Sequence, residues 1–214
     1  MFASAVTPSL DVRIVRYPAN RPLSYADLIS LVVDALPRSQ RFVLLAESFS
    51  TPLAVMLASK HPANLKGLII CAGFVRNPLR GWLRCMKSFV WPSLFRIPPP
   101  RFVLEHFLVG ALAPRELKDD VRRTLRSVSA DVIAFRVRSV MACDARAELT
   151  RVHVPTLYLQ AEHDRLVSKS SFEEIQALKP DTTLALIGAP HFVLQVEPYK
   201  AAEVITQFIA RLPT

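Results

Sequence analysis

Short apolar runs alternate along the chain with longer stretches whose apolar residues recur every three or four positions. Asp11-Val12-Arg13-Ile14-Val15-Arg16-Tyr17 alternates polar and apolar, the period of a strand with one buried face. Pro18-Ala19-Asn20-Arg21-Pro22 reads as a loop. Ser24, with Asp27 three residues on, reads as a capped helix start. Leu28, Leu31, Val32, Ala35 and Leu36 then give the helical stripe that Pro37 closes. Phe42 to Ala46 is a continuous apolar run, as expected of a strand buried on both faces. It stops at Glu47-Ser48-Phe49-Ser50, and Pro52 to Ser59 reads as a helix with proline in its first turn. Leu65 to Cys71 is the next strand. Strand, helix, strand, helix, strand is the order of a parallel sheet with helices on its faces.

From Phe74 to Leu149 no comparable strand appears; a Pro98-Pro99-Pro100 break and helical patterns at Arg115 to Arg126 and Asp131 to Cys143 take its place. The alternation then resumes, with strands at Val154 to Gln160 and Thr182 to Ile187 and helices at Ser168 to Leu178 and Tyr199 to Leu212. The expected fold class is therefore α/β, a mostly parallel sheet flanked by helices. Residues 1–73 and 152–214 are expected to form the core, and 74–151 an inserted helical cap.

Composition supports one ordered domain: 214 residues, 51% hydrophobic. The longest apolar runs are strand-length, so no membrane insertion is expected. The stretch MFASAVTPSLDVR lacks the basic-then-apolar pattern of a signal peptide. Cys71, Cys85 and Cys143 are odd in number, far apart and form no CxxC, which favours reduced thiols in a cytoplasmic protein and argues against zinc. The net charge of +9 is concentrated: Phe74 to Arg151 holds 15 Lys and Arg against 7 Asp and Glu. A basic face can attract anionic substrates, lipid head groups or nucleic acid, and the plainer reading is a solvated arginine-rich helical surface. Zinc-finger spacing, RNA-binding signatures and aromatic-basic interleaving are lacking, so nucleic acid is not an expected partner.

In a parallel sheet, sites form at the carboxyl ends of strands. Ser48 follows the strand ending at Ala46, Asp164 follows Leu157 to Gln160, and His191 follows Thr182 to Ile187. Acyl transfer needs these three types together. A serine hydroxyl becomes a good nucleophile only when a base takes its proton. A histidine can take that proton and return it to the leaving group. An acid behind the imidazole fixes its tautomer. A tight strand-to-helix turn also aims the first helical amides at a developing oxyanion.

On these residues the chain resembles the α/β-hydrolase family over nearly its whole length. The elbow motif G-x-S-x-G stands as Ala46-Glu47-Ser48-Phe49-Ser50, with both glycines replaced by small residues. Pro155 to Val167 resembles the acid-bearing strand and loop, and Ala189-Pro190-His191-Phe192 the late histidine loop. The resemblance implies Ser48 as nucleophile, His191 as general acid/base, Asp164 as the orienting acid, and Phe49 N–H as one oxyanion donor. It also implies that residues 74–149 cover the pocket. The front departs from the family, whose strand with an HG-type motif precedes the segment like Asp11 to Tyr17. Only ten residues precede Asp11, with neither glycine nor histidine. The expectation is an N-terminally shortened hydrolase, or a start assigned late, with the second oxyanion donor sought in the Tyr17 to Asn20 loop.

Other readings stand beside these. Glu162 and Asp144 rival Asp164 as the acid, and Glu47 reads as a structural hydrogen-bonding group. His61, His106, His153 and His163 read as surface, loop or packing residues, and Cys71 as a small core residue. Trp82, Phe89, Trp91, Phe95, Phe102 and Phe107 either line an acyl pocket or fix the cap to the sheet. The expected function is a carboxylesterase forming an acyl-enzyme on a small-molecule ester, with no cofactor and no metal. The alternatives are a thioesterase and a catalytically weak or inactive binding protein on the same scaffold. An open sheet edge also makes a homodimer conceivable.

Overall fold

The computed structural model describes residues 2–6, 10–79, 89–97 and 99–213. Four parallel strands, β1 (Phe42–Glu47), β2 (Leu65–Cys71), β3 (Thr156–Ala161) and β4 (Thr183–Ile187), lie in the order β1-β2-β3-β4. Each pairs in register with the next, for example Leu45 with Ile69, Ile69 with Leu157, and Leu157 with Thr183.

The period-2 alternation of strand side chains sorts the core into two layers. Leu68, Ile70 and Tyr158 point to one face, where α3 (Thr51–Ala58), α7 (Arg146–Leu149) and α8 (Lys169–Leu178) supply Val55, Leu149 and Ile175. Ile69, Cys71, Leu157 and Leu159 point to the other, against Val193 of α9 (Val193–Val196) and Ala201 and Ile205 of α10 (Pro198–Ala210), with Phe2 of α1 (Phe2–Val6) beside them. The helix α2 (Tyr25–Ala35) packs Leu28 and Val32 on Leu53 and Leu57 of α3. Its start is the expected capping box: the Ser24 side chain accepts from Asp27 N, and Asp27 accepts from Ser24 N.

Between β2 and β3 every described regular element is helical: short turns at Pro92–Phe95 and Glu105–Val109, α4 (Arg101–Leu104), α5 (Arg115–Ser127), α6 (Ala130–Ala142) and α7. The segment leaves and returns at one place. Ala145 N donates to Val75 O (2.6 Å), Asn77 N to Cys143 O (3.2 Å) and Asn77 Nδ2 to Met141 O (3.0 Å). Trp82, Cys85 and Pro98 lie outside the described residues. Phe89, Trp91 and Phe102 are exposed rather than packed on the sheet.

Two expectations for the front of the chain are corrected. Asp11 to Tyr17 forms no strand. Its alternation marks a two-faced segment, but a strand needs a hydrogen-bonding neighbour, and Asp11 to Val15 and Phe42 to Glu47 instead line the same cavity of about 1110 Å³. Nor is Phe42 to Ala46 buried on both faces. β1 ends the sheet, and Leu45 stays 36% exposed.

Candidate active site

Ser48 sits where β1 runs into a single turn of 3-10 helix, Ser48–Ser50, that leads directly into α3. Its φ is +51°, in the left-handed region that side chains other than glycine seldom enter. Such a conformation persists only where its surroundings hold it, and here it turns the hydroxyl out of the sheet. Small neighbours allow the sharp turn. A Cβ on Gly73, just past β2, would clash with Thr51 Oγ1.

The structure brings Ser48, His191 and Asp164 into one hydrogen-bonded row. His191 Nε2 lies 2.7 Å from Ser48 Oγ, and His191 Nδ1 lies 2.7 Å from Asp164 Oδ2. A carboxylate only accepts, so Nδ1 carries the proton and Nε2 is free to accept the serine hydroxyl. Asp164 Oδ1 accepts from Leu166 N (2.8 Å) and Val167 N (2.9 Å), so both its oxygens are held. The His191 and Asp164 side chains are only 2% and 4% exposed. Water therefore competes little for the bond between them. Of the rival acids, Glu162 is exposed. Asp144 is exposed at the neck of the helical segment and bound by Arg146, which holds its carboxyl down at about 2. His61, His106, His153 and His163 are all exposed, and His61 stacks on His153.

Phe49 is clasped from the front of the chain. Tyr25 Oη donates to Phe49 O (3.1 Å), and the Tyr25 ring stacks on the Phe49 ring at 5.1 Å. Tyr17 Oη donates to Ser50 Oγ (3.1 Å), and burial pushes both tyrosine hydroxyls above their ordinary range, so both stay protonated donors. Arg136 of α6 lies over the Tyr17 and Phe49 rings, 5.8 and 5.7 Å from the centroids, and donates to Pro18 O (3.0 Å). The helical segment also reaches the other two loops: Phe192 N donates to Leu108 O (3.0 Å), and Arg165 meets His106.

Glu47 spans from the elbow to the histidine loop. It accepts from Leu194 N (3.3 Å), Gln195 Nε2 (2.8 Å) and Cys71 Sγ (3.8 Å). Burial raises its carboxyl above the ordinary range, partly offset by these donors. The Cys71 thiol is also raised by burial, and beyond that by Glu47, so it remains a donor. The sequence marked Glu47 as a hydrogen-bonding group. Nothing in the pattern marked Gln195, Tyr25 or Arg136, because their partners lie 24 to 148 residues away or act through rings. Among the described residues no group of three or more His, Cys, Asp or Glu could hold a metal ion, and no helix is long and apolar enough to cross a membrane.

Residues 23–193 match the family described as "Serine aminopeptidase, S33". The chain is 28% identical over 207 residues, 92% of its length, to the biotin biosynthesis bifunctional protein BioHC of Cellvibrio japonicus, and it spans 40% of that relative. Solved structures with the same fold include a thermophilic esterase of Thermogutta terrifontis (TM-score 0.73, 19% identity, 89% of this chain and 74% of that one). A bromoperoxidase of Bacillus anthracis is similar too (TM-score 0.74, 14% identity, 87% and 74%), as is a lipase-esterase related protein of Clostridium acetobutylicum (TM-score 0.71, 17% identity, 90% and 77%). The parallel sheet, the elbow at Ser48 and a family match spanning most of the chain agree: this protein belongs to the serine aminopeptidase S33 family of hydrolases with the α/β-hydrolase fold.

Proposed function

We propose that the protein is a carboxylic ester hydrolase that works through an acyl-enzyme on Ser48. One observation carries this reading: a strained elbow serine whose hydroxyl lies 2.7 Å from an imidazole that is itself fixed by a buried carboxylate. In the proposed cycle His191 Nε2 takes the Ser48 proton as Oγ attacks the ester carbonyl. Asp164 holds the imidazolium, and Phe49 N–H receives the developing oxyanion. His191 then gives the proton to the departing alcohol, and water repeats the sequence to release the acid.

Ester is favoured over peptide amide by charge. An aminopeptidase must hold the α-ammonium of its substrate, and the strongly basic segment between Phe74 and Arg151 works against a cation. The same charge supports a second reading, a thioesterase whose leaving group is an anionic carrier. Three substrates separate the readings: a p-nitrophenyl ester, an aminoacyl p-nitroanilide and an acyl-coenzyme A thioester, each assayed with Ser48→Ala as the blank. Turnover of the nitroanilide alone sinks the ester reading, and no turnover of any supports the inactive binding protein. Self-pairing through the free edge of β1 is part of the same proposal. Sedimentation that finds a monomer at every dilution removes it. A cytoplasmic location is likewise proposed, on the unpaired buried thiols Cys71 and Cys143.

A further inference from the structure

Glu47 is an odd neighbour for the nucleophile. Three donors meet its carboxylate, the Leu194 amide, the Gln195 side-chain amide and the Cys71 thiol, and none of them is a cation. Two belong to α9, which opens two residues after His191. Glu47 and Ser48 are adjacent in sequence. The carboxylate therefore ties the strand that ends at the serine to the helix that follows the histidine. The negative charge itself is not needed for these bonds, since a neutral amide oxygen accepts equally well from an N–H.

We propose that Glu47 is a positioning residue for His191: its hydrogen bonds to α9 set the imidazole between Ser48 and Asp164. The proposal rests on the Ser48–His191–Asp164 reading and assigns Glu47 no contact with substrate. Other ionisable groups near this pair are Cys71 on β2, kept protonated, and Tyr158 on β3, whose hydroxyl donates to Gly73 O. Asp120 of α5, Asp11, Arg13, Arg41 and Lys66 line the cavity that Glu47 also faces.

Gln195 makes a clean test feasible. Its Oε1 is buried without a hydrogen-bond partner. In Glu47→Gln, a half-turn of the Gln195 amide offers that oxygen to the new NH₂ group, so shape and bonds survive while the charge is lost. Glu47→Ala loses both. For Glu47→Gln, which keeps these hydrogen bonds, the expected fall in kcat is smaller than for Glu47→Ala, at unchanged KM. For Glu47→Ala, kcat falls by about 10- to 100-fold at unchanged KM. The His191 imidazole ring resonances, read in folded protein without substrate, move in Glu47→Ala and are kept in Glu47→Gln whether or not any ester is turned over. This separates the inference from the ester reading. A Glu47→Gln variant as impaired as Glu47→Ala overturns the role given to the hydrogen bonds. A Glu47→Ala variant with wild-type kcat overturns the positioning part. Where wild type turns over no ester, the His191 ring resonances decide positioning instead, and unchanged shifts in Glu47→Ala overturn it.

Discussion

Along its inner edge β1 pairs with β2 through six residues, whereas no described strand pairs with its outer edge, and its residues line a cavity of about 1110 Å³. The inner side supplies almost everything that holds the hydrogen-bonded row. Asp164 and His191 follow β3 and β4, and the donors to Glu47 come from β2 and α9. The outer side supplies a clasp of rings and hydroxyls: Tyr17 on Ser50, Tyr25 on Phe49, and Arg136 over both Tyr17 and Phe49. Ser48, His191 and Asp164 are thus fixed by the continuous part of the sheet. The Phe49 amide, proposed to receive the oxyanion, is steadied by the discontinuous part. Proton transfer and oxyanion stabilisation should therefore respond to different mutations.

Changes on the inner side carry the largest expected effects. Ser48→Ala is expected to lower kcat on a p-nitrophenyl ester by about 10⁴-fold or more, with the circular dichroism spectrum unchanged. Asp164→Asn leaves the fold intact but frees the imidazole to adopt the wrong tautomer, for an expected loss of about 10³- to 10⁴-fold in kcat. Stability contrasts the two sides directly. Leu159, fully buried in β3, should lose about 2–5 kcal/mol on substitution by alanine. Leu45, 36% exposed on β1, should lose less than about 1 kcal/mol in the same urea titration. Equal losses would mean that the β1 edge is covered in solution.

On the outer side, Tyr25→Phe removes the hydroxyl bond to Phe49 O while keeping the ring stack. Its expected cost is about 3- to 10-fold in kcat, with no shift of the pH profile. The smallest effect tests Glu47 by stability. Burial raises its carboxyl in the folded protein, so the folded state binds its proton more tightly than the unfolded chain does. That contribution is present at low pH and is lost as pH rises through the folded value. Glu47→Gln should therefore melt slightly higher than wild type at pH 8, with the advantage fading as pH falls below the ordinary glutamate range.

Much of the inner side was legible from pattern. Leu65 to Cys71 is β2, and Arg115 to Arg126 is nearly all of α5, because periodicity reports burial and burial is what the core imposes. Ser48, Asp164 and His191 could be nominated because each follows a strand, and a parallel sheet gathers those ends. The outer side was misread for one reason. An apolar run such as Phe42 to Ala46 says that a strand forms, not how many neighbours it has. The alternation at Asp11 to Tyr17 likewise describes two faces, while a strand also requires a partner for its backbone. The Glu47 bridge joins residues 147 and 148 positions apart, a distance at which one sequence carries no signal.

The most direct measurement is covalent labelling with a fluorophosphonate, followed by peptide mass mapping, on wild type and Ser48→Ala. An adduct confined to the peptide bearing Ser48, absent from the variant and suppressed in His191→Gln, is the expected result and means an activated serine. A folded wild-type protein that takes up no label, or takes it up on another residue, contradicts an acyl-enzyme on Ser48.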